Sequence, residues 1–404
     1  MNPNPDQIWK APRWALALLL AMLGMLGPFS IDTYVPAFSA IGASIGANPL
    51  QLQQTFSAYL FGFAFMNLFH GALSDSYGRR PVVLCGLAVF TLASVGCALS
   101  QSIGQLIFFR AMQGLSTGAG IVVSRAVVRD LFAPAEAQRV MSQITIYFGV
   151  APAIAPLIGG LLLEGAGWRA IFWLLVIVGG VLLLANLRLL PESLPPERRQ
   201  PMHLAHLLRG YLQLLSDPRF VLLVFASNIP FNGMFLYVLS APAFLGHVLR
   251  LPPTHFFLLF VFNIAGIMSG AWLSGRMAGK VQPRRQIMIG MRVVLVMSVL
   301  NIAANALFTP NVWWALWPIV AFGFGWALMM PAVTLLALDL HPERRGMASS
   351  LQAVVGSVAN GVVAGMVAPL VMYSGLGMAL VSGVCMVAGL LTWGLLRWRW
   401  PRVG

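Results

Sequence analysis

Long apolar runs separated by short polar loops dominate this chain. Most of the runs are about 18–25 residues long, enough for a helix to cross a hydrocarbon core of ~30 Å, whereas a transmembrane β-strand needs only ~10 alternating residues. We therefore predict an all-α integral membrane protein. About twelve transmembrane helices are expected, at roughly 14–36, 53–74, 82–100, 104–127, 139–163, 169–190, 218–240, 254–276, 285–308, 312–335, 345–370 and 376–397.

The longest polar break, residues 191–217, divides the chain into two halves of six helices. The halves are 14–190 and 218–397, with tails at 1–13 and 398–404. Within the break, HLAHLLRGYLQLL has the pattern of an amphipathic helix lying on the membrane surface, although the segment could equally be a plain tether. The loops after the second and eighth runs, opened by Gly71 and Gly270, echo each other. This echo indicates a weak parallel repeat of two six-helix halves.

Composition and charge agree with a lipid solvent. The 404 residues are 59% hydrophobic and 9% charged, whereas soluble domains carry about 25% charged residues. The formal net charge of +14 does not indicate a nucleic-acid partner, because all 25 Lys and Arg residues except Arg110, Arg169 and Arg250 lie in alternate loops and the tails. This asymmetry predicts cytoplasmic termini and contact with anionic lipids.

Asp32 is an acid within the first apolar run, flanked by Pro28 and Pro36. Burial in a low-dielectric site penalises the anionic form of a carboxylic acid, so such a group takes up and releases protons easily. The two prolines can interrupt the backbone hydrogen bonds and bend the helix so that it lines a cavity. We therefore predict that Asp32 carries a proton in competition with substrate, and the alternative is a structural hydrogen bond to a neighbouring helix.

Two further groups of charged residues are candidates for function. Arg110 lies inside the fourth run, where a charge costs about 2.5–3.5 kcal/mol on insertion scales, although its side chain could instead extend to the outer interface. The loop GALSDSYGRRP after the second run places Gly78 where a tight turn is needed. In that loop Asp75 can cap or pair, and Arg79 and Arg80 hold the cytoplasmic side.

The pattern from Gly71 through Asp75 and Gly78 to Arg79 and Arg80 resembles the signature loop between helices 2 and 3 of the major facilitator superfamily. The resemblance implies that Asp75 locks the two halves together when the cytoplasmic side is closed. Arg129, at the end of the fourth run, is a plausible partner for Asp75, and the alternative is that these charges only set topology. The loop of the second half lacks the acid, so no matching lock is predicted there.

Other stretches resemble one branch of that family. Asp32-x-Tyr34-x-Pro36 resembles the first-helix signature of the Bcr/CflA-type drug-resistance transporters, and Arg110-x-x-Gln113 resembles the helix-4 motif tied to proton coupling. The fifth run resembles the antiporter motif of drug exporters through Gly149, Pro152, Pro156, Gly159 and Gly160. The resemblance implies a drug:proton antiporter of the bacterial inner membrane that exports small lipophilic antibiotics such as chloramphenicol- or bicyclomycin-like compounds. A proton-coupled uptake symporter for a small metabolite is the alternative.

The remaining expectations concern partners and the substrate cavity. We expect drugs, protons and lipids as partners, one proton per cycle through a monomer, and no enzyme activity, cofactor, metal site or nucleic acid. Adaptable apolar and aromatic side chains with a few amides suit varied drugs, although ordinary helix packing would explain any one of them equally well. The candidate cavity residues are Met25, Phe29, Tyr59, Phe63, Gln113, Tyr147, Asn228, Phe231, Asn232 and Phe235.

Overall fold

The computed structural model describes residues 13–200, 204–251 and 257–401, and every regular element in these ranges is helical. Twelve helical segments account for the apolar runs, which confirms the predicted fold class. They are α1 (Arg13–Asp32), α2 (Pro49–Tyr77), α3 (Arg79–Leu99), α4 (Ile103–Leu131), α5 (Pro134–Ala166), α6 (Trp168–Leu189), α7 (Pro218–Leu239), α8 (Phe257–Met277), α9 (Pro283–Leu307), α10 (Trp317–Asp339), α11 (Arg345–Val362) and α12 (Gly375–Arg399).

Ten of these helices are long and apolar enough to cross a membrane within the described residues, and the other two are α5 and α11. Helix α11 is continued by a π-helical turn, Val363–Val367, and a short helix, Ala368–Val371. Pro369 has no N–H to donate to the helical ladder, which accounts for the irregular turn just before it.

Large apolar side chains cover the outside of the helices. Phe61 is 74% exposed, Leu370 83% and Trp398 79%, and many Leu, Val and Ile side chains are similarly uncovered. Such exposure would be costly in water but is ordinary in lipid. The surface thus agrees with the low content of charge in the sequence.

The observed helices extend beyond the predicted runs. Helix α2 begins at Pro49, where Asn48 and Gln51 form a capping box with hydrogen bonds of 2.9 and 3.0 Å. Hydropathy changes where the lipid ends, whereas a helix ends where its terminal N–H and C=O groups find other partners. The predicted amphipathic helix of the linker is confirmed as Leu204–Ser216, and its position on a membrane stays a prediction.

The remaining elements are short and lie between the long helices. They are the 3₁₀ turns Val35–Ala37, Pro196–Arg198 and Pro342–Arg344, the short helices Phe38–Ile45, Ala241–Ala243 and Val312–Ala315, and the π-helical turn Phe244–Val248.

Contacts divide the chain into two compact units that do not follow sequence order. Unit 1 contains Met1–Phe132, Val150–Tyr211 and Pro342–Val354, and unit 2 contains Ala133–Gly149, Leu212–His341 and Val355–Gly404. Each unit therefore includes a segment from the other half of the sequence. The core of unit 1 includes Tyr34, Phe90 and Phe172, and that of unit 2 is built around residues such as Tyr237, Phe244, Phe322 and Met378. The predicted domain limits at residues 190 and 218 stay a sequence prediction.

Candidate functional site

Helix α1 ends at Asp32, and the chain then turns sharply. The carbonyl of Asp32 has no donor four residues on, because that position is Pro36. The backbone instead makes a tight turn in which Tyr34 N–H donates to the Ile31 carbonyl at 3.1 Å. The predicted bend is thus found at Pro36, while Pro28 lies inside the helix.

The carboxylate of Asp32 is half-buried at this break. Within the described residues, no hydrogen bond or ion pair joins it to another side chain or to the backbone. The structural hydrogen bond that was the alternative interpretation is therefore not found there. An uncompensated acid in such a setting is open to a proton or to a cationic ligand.

Arg110 of α4 is fully buried between two aromatic rings. The carbon at the centre of its guanidinium group lies 4.4 Å from the ring centroids of both Tyr34 and Tyr59. Cation–π contacts of this kind contribute about 2 kcal/mol or more when they are desolvated. The alternative, in which Arg110 extends to the outer interface, is wrong because the side chain is 0% exposed.

Neutral groups complete the surroundings of the Arg110 guanidinium. Its Nη1 donates to Oε1 of Gln113 at 3.0 Å and lies 3.5 Å from the Ser30 carbonyl. Gln113 is itself held because its Nε2 donates to Ser94 Oγ at 2.7 Å. Arg110 makes no ion pair with Asp32 or another acid within the described residues. The site thus places the Arg110 cation against Ser30 and Tyr34, on either side of Asp32 in the chain, without an ion pair between the two charged groups.

Hydrogen bonds of the Tyr59 hydroxyl link the Arg110 site to α1 and α4. Its hydroxyl accepts a hydrogen bond from Ser30 at 2.8 Å and lies 3.1 Å from both Gly27 O and Thr117 Oγ1. Tyr34 is fixed through a 2.6 Å hydrogen bond between its hydroxyl and Thr55. The sequence prediction included Tyr34 only as part of a motif and missed its stacking on Arg110, because spacing along the chain does not reveal which ring faces a distant cation.

The loop between α2 and α3 has the geometry that its glycine predicts. Gly78 separates the two helices with a φ of +104°, a conformation that other residues rarely adopt. Asp75, which is 1% exposed, both pairs and caps. Its carboxylate binds Arg79 Nη1 at 2.6 Å and accepts hydrogen bonds from the backbone N–H groups of Gly346 at 3.1 Å and Met347 at 2.9 Å.

Asp75, Arg79, Asp130 and Arg345 form what we call the carboxylate cluster. Arg79 Nε lies 3.0 Å from Asp130, and Arg345 Nη1 lies 2.9 Å from the other oxygen of Asp130. The cluster joins α2, α3 and α4 to the first residues of α11 inside unit 1. Asp75 is buried near the end of α2, and the side chain of Asp130, near the end of α4, is 8% exposed.

The predicted partner of Asp75 needs correction. Asp75 pairs with Arg79, one helical turn further along the chain, and not with Arg129. Arg129 donates to the carbonyl of Phe132 at 3.0 Å near the end of its own helix. Arg80 lies further out and donates to the carbonyl of Leu187. Glu192, which the sequence prediction missed, accepts hydrogen bonds from the N–H groups of Arg79 and Arg80 at 2.9 and 3.3 Å.

In the glycine- and proline-rich part of α5, Gly159 contacts the turn that follows Asp32. Gly159 has no space for a β-carbon because the Thr33 carbonyl lies against it, so the predicted close approach is found here. Gly160 has open space at the corresponding place, and Pro156 is exposed. Gly149 and Pro152 lie in residues 148–153, whose backbone is helical and whose side chains lie outside the described part.

The predicted cavity residues of unit 1 fall into two groups. Tyr59 and Gln113 are fully buried and belong to the surroundings of Arg110. Met25, Phe29 and Phe63 are half-buried. The first pair therefore positions the cation, and the other three are the candidates in this unit for contact with a ligand.

The predicted residues of unit 2 lie on α7 and α5. Phe231 and Phe235 stack at 5.3 Å between ring centroids, and Phe231 packs 4.8 Å from Trp326, which the sequence prediction missed. Asn228 and Asn232 follow each other along α7, with Asn232 Nδ2 donating to the Asn228 carbonyl at 2.9 Å. Tyr147 is half-buried on α5.

Comparisons with known proteins agree on one family. The sequence profile of the Major Facilitator Superfamily matches residues 20–364. A bicyclomycin resistance protein homolog of Haemophilus influenzae is 30% identical over 93% of this chain and 94% of its own length. Multidrug resistance protein D of Escherichia coli is 29% identical over 88% of this chain and 89% of its own length.

Solved structures show the same fold at lower identity. The human organic anion transporter MFSD10 superposes with a TM-score of 0.71 and 18% identity, covering 98% of this chain and all of its own. The proton:xylose symporter XylE superposes with a TM-score of 0.74 and 15% identity, covering 96% of this chain and 95% of its own. At these identities the structural likeness concerns the fold alone.

Proposed function

Because the chain belongs to the major facilitator superfamily, whose members are membrane transporters and not enzymes, we propose that it is a drug:proton antiporter working by alternating access. It exports small lipophilic antibiotics such as chloramphenicol- or bicyclomycin-like compounds. It acts as a monomer in a bacterial inner membrane with both termini in the cytoplasm, and one proton crosses in each cycle.

One observation carries the proposal: the separation of Asp32 from Arg110. The guanidinium group is stacked between Tyr34 and Tyr59 and bonded to neutral oxygens, so it does not hold Asp32 permanently ionised. The acid lies at a helix break where the backbone is already open. A proton and a drug can therefore compete for Asp32, and inward movement of the proton drives outward movement of the drug.

The drug class rests on the relatives. Two similar proteins that cover most of the chain are named for bicyclomycin resistance and multidrug resistance. The half-buried apolar residues Met25, Phe29 and Phe63, with the stacked rings of Phe231 and Phe235, suit lipophilic compounds of varied shape.

The carboxylate cluster supports a cytoplasmic gate. Asp75 is paired with Arg79 and also receives the first N–H groups of α11, which carry the positive end of that helix dipole, so part of its compensation depends on α11 staying in place. We propose that this contact opens and closes during each cycle.

Drug uptake into inside-out proteoliposomes, with an imposed pH gradient that is acid inside, tests the coupling. We expect wild-type protein to accumulate chloramphenicol or another member of a small drug panel. Asp32→Asn should abolish accumulation while drug binding persists, because asparagine cannot carry the proton. Asp217→Asn, which removes an acid outside the spans, is the matched control and should transport normally. Undiminished accumulation by Asp32→Asn would overturn the proton role. Failure of every panel drug in wild type would favour uptake of a metabolite.

Arg110→Lys tests the second half of the arrangement. A lysine ammonium is a compact charge that cannot stack across two rings and donate to Gln113 in the same geometry. We expect drug-induced proton release from the detergent-solubilised protein to fall by at least tenfold, with drug binding less affected. Normal proton release from Arg110→Lys would mean that a positive charge at this position is sufficient and that the stacked geometry is not needed.

A further inference from the structure

Unit 2 contains a buried polar cluster that no sequence motif marks. Gln138 and Ser142 of α5, Ser274 of α8 and Gln286 of α9 form what we call the amide cluster. Their exposed fractions are 4%, 1%, 0% and 0%, respectively. All four residues lie in unit 2.

Hydrogen bonds connect the members of this cluster continuously. Gln138 Nε2 donates to Gln286 Oε1 at 2.7 Å and to the Ser274 carbonyl at 3.2 Å. Gln286 Nε2 donates to Ser274 Oγ at 2.8 Å and to the Leu328 carbonyl of α10 at 2.7 Å. The hydroxyls of Ser142 and Ser274 lie 3.0 Å apart. Buried polar groups in such a network fix the elements that carry them in one arrangement.

The cluster joins a segment of one sequence half to helices of the other. The first residues of α5 are attached to α8 and α9 in unit 2, and Gln286 extends the network to α10. The first residues of α11 are attached to α2, α3 and α4 in unit 1. Ser274 follows Gly270 by four residues, as Asp75 follows Gly71, and Gln286 lies in the first turn of α9, as Arg79 lies in the first turn of α3. The amide cluster is thus built like the carboxylate cluster, with neutral groups in place of charges.

A cavity of about 330 Å³ lies directly beside the cluster. It is lined by the start of α5, including Pro134 and Gln138, by the turn from Gly279 to Pro283, and by Asp339 at the end of α10. Water in such an open, partly polar cavity can replace the hydrogen bonds of Gln138 if the segment moves away. The bonds of the four cluster residues can therefore exchange without stranding a charge. The neighbouring Arg139, which donates to the Ala278 carbonyl at 3.3 Å, is exposed and stays in contact with water if that bond opens.

We infer that the amide cluster is a second gate, and that Gln138, Ser142, Ser274 and Gln286 release and recapture the start of α5 in every transport cycle. This inference rests on the alternating-access function proposed above. The gate is neutral, so it adds no ionised group that must be compensated when it opens.

A reversible cross-link tests the gate. A β-carbon built on Gly275 would lie 3.4 Å from the β-carbon of Ser142, close to the separation of ~3.5–4.5 Å in disulfides. The variant Ser142→Cys/Gly275→Cys is made after Cys85, Cys97 and Cys385 are replaced by serine. It is purified reduced, so that the cross-link forms only in folded protein.

We expect oxidation to reduce transport of the panel drug at least tenfold and a reducing agent to restore it. Gly86→Cys/Ala119→Cys is the matched control, because these residues face each other across α3 and α4 within the first half of the sequence, at 3.1 Å between β-carbons. Cross-linking that pair should leave transport unchanged. Full transport by the oxidised Ser142/Gly275 pair, or failure of that pair to cross-link, would overturn the inference.

A second measurement separates this inference from the drug proposal. Hydrogen exchange of residues 134–142 is followed without any drug, in the reduced and the oxidised variant. We expect exchange at least tenfold faster in the reduced form, because the gate opens spontaneously. Equal exchange in the two forms counts against the gate. Different exchange with no drug transport in either form counts against the proposed substrates and leaves the gate standing.

Discussion

The carboxylate cluster and the amide cluster hold corresponding parts of the two units by different means. In unit 1 the buried acids Asp75 and Asp130 are balanced by Arg79, Arg345 and two backbone N–H groups. In unit 2 two glutamines and two serines form hydrogen bonds with one another and with the backbone carbonyls of Ser274 and Leu328. A buried ion pair is strongly destabilised when one partner is lost, whereas a neutral hydrogen bond loses less.

Corresponding helix ends in the two units are thus held together by different chemistry. The first cluster depends on a complete set of charges, so its residue types are narrowly fixed and form a recognisable motif. The second needs only donors and acceptors at suitable distances, which several residue types can supply. We therefore expect the two clusters to respond very differently to substitution.

The largest effect is expected from Arg79→Leu. This change leaves Asp75 and Asp130 buried without their shared cation, and removal of one partner from a buried pair costs about 3–5 kcal/mol. Chemical unfolding in detergent measures the free energy of unfolding. Arg80→Leu is the control, since this arginine lies outside the cluster, and it should cost less than about 1 kcal/mol. A similar loss of unfolding free energy in Arg79→Leu and Arg80→Leu would contradict the special role of the carboxylate cluster.

An intermediate effect is expected from Gln286→Leu. The change deletes three hydrogen bonds and deprives Gln138 of one acceptor, at a cost of about 1–3 kcal/mol. The double variant Gln138→Leu/Gln286→Leu should lose less than the sum of the single variants, because both partners become apolar together. A loss from Gln286→Leu as large as that from Arg79→Leu would show that the neutral cluster is as demanding as the charged one.

The smallest effect is expected at a third contact, where unit 2 does use charge. Asp217 caps the start of α7 and binds Arg219 at 2.9 Å and His341 at 3.2 Å, but Arg219 is 40% exposed. We expect Asp217→Asn to cost about 0.5–1 kcal/mol, because asparagine also caps helices and exposed ion pairs contribute little. A loss of unfolding free energy above about 3 kcal/mol would indicate that charge, and not burial, makes the carboxylate cluster sensitive to substitution.

The same contact predicts a dependence on pH. Burial raises the pKa of Asp217, but hydrogen bonds from Arg219 and the charges of Arg219 and His341 outweigh it, so the pKa lies below its ordinary value. A lowered pKa in the folded state means that the contribution is present above about pH 4 and is lost as the pH falls through the folded value. Unfolding curves of wild type and Asp217→Asn should therefore converge in acid. Curves that stay parallel down to low pH would contradict this assignment.

Much of the fold could be predicted from the sequence. The length of the apolar runs predicted the helices, and the glycine at position 78 predicted the turn that is observed. The ends of the helices could not be placed as well, since Asn48 and Gln51 cap α2 outside the apolar run. The prediction that Arg129 pairs with Asp75 was wrong because the sequence alone does not show whether Arg79 or Arg129 lies closer to the acid in the folded chain.

The sequence by itself determined which residues must be explained. They are an acid at position 32 and an arginine at position 110, because lipid makes each of them costly, and a charged loop whose residue pattern stands out. Only the tertiary structure decided their partners. Arg110 lies between Tyr34 and Tyr59, and Asp75 meets the start of α11. Gln138 and Gln286 meet although nothing in their neighbourhoods marks them. The cost of burying a group is a property of the residue, whereas its compensation depends on which distant groups the packing brings within hydrogen-bonding distance.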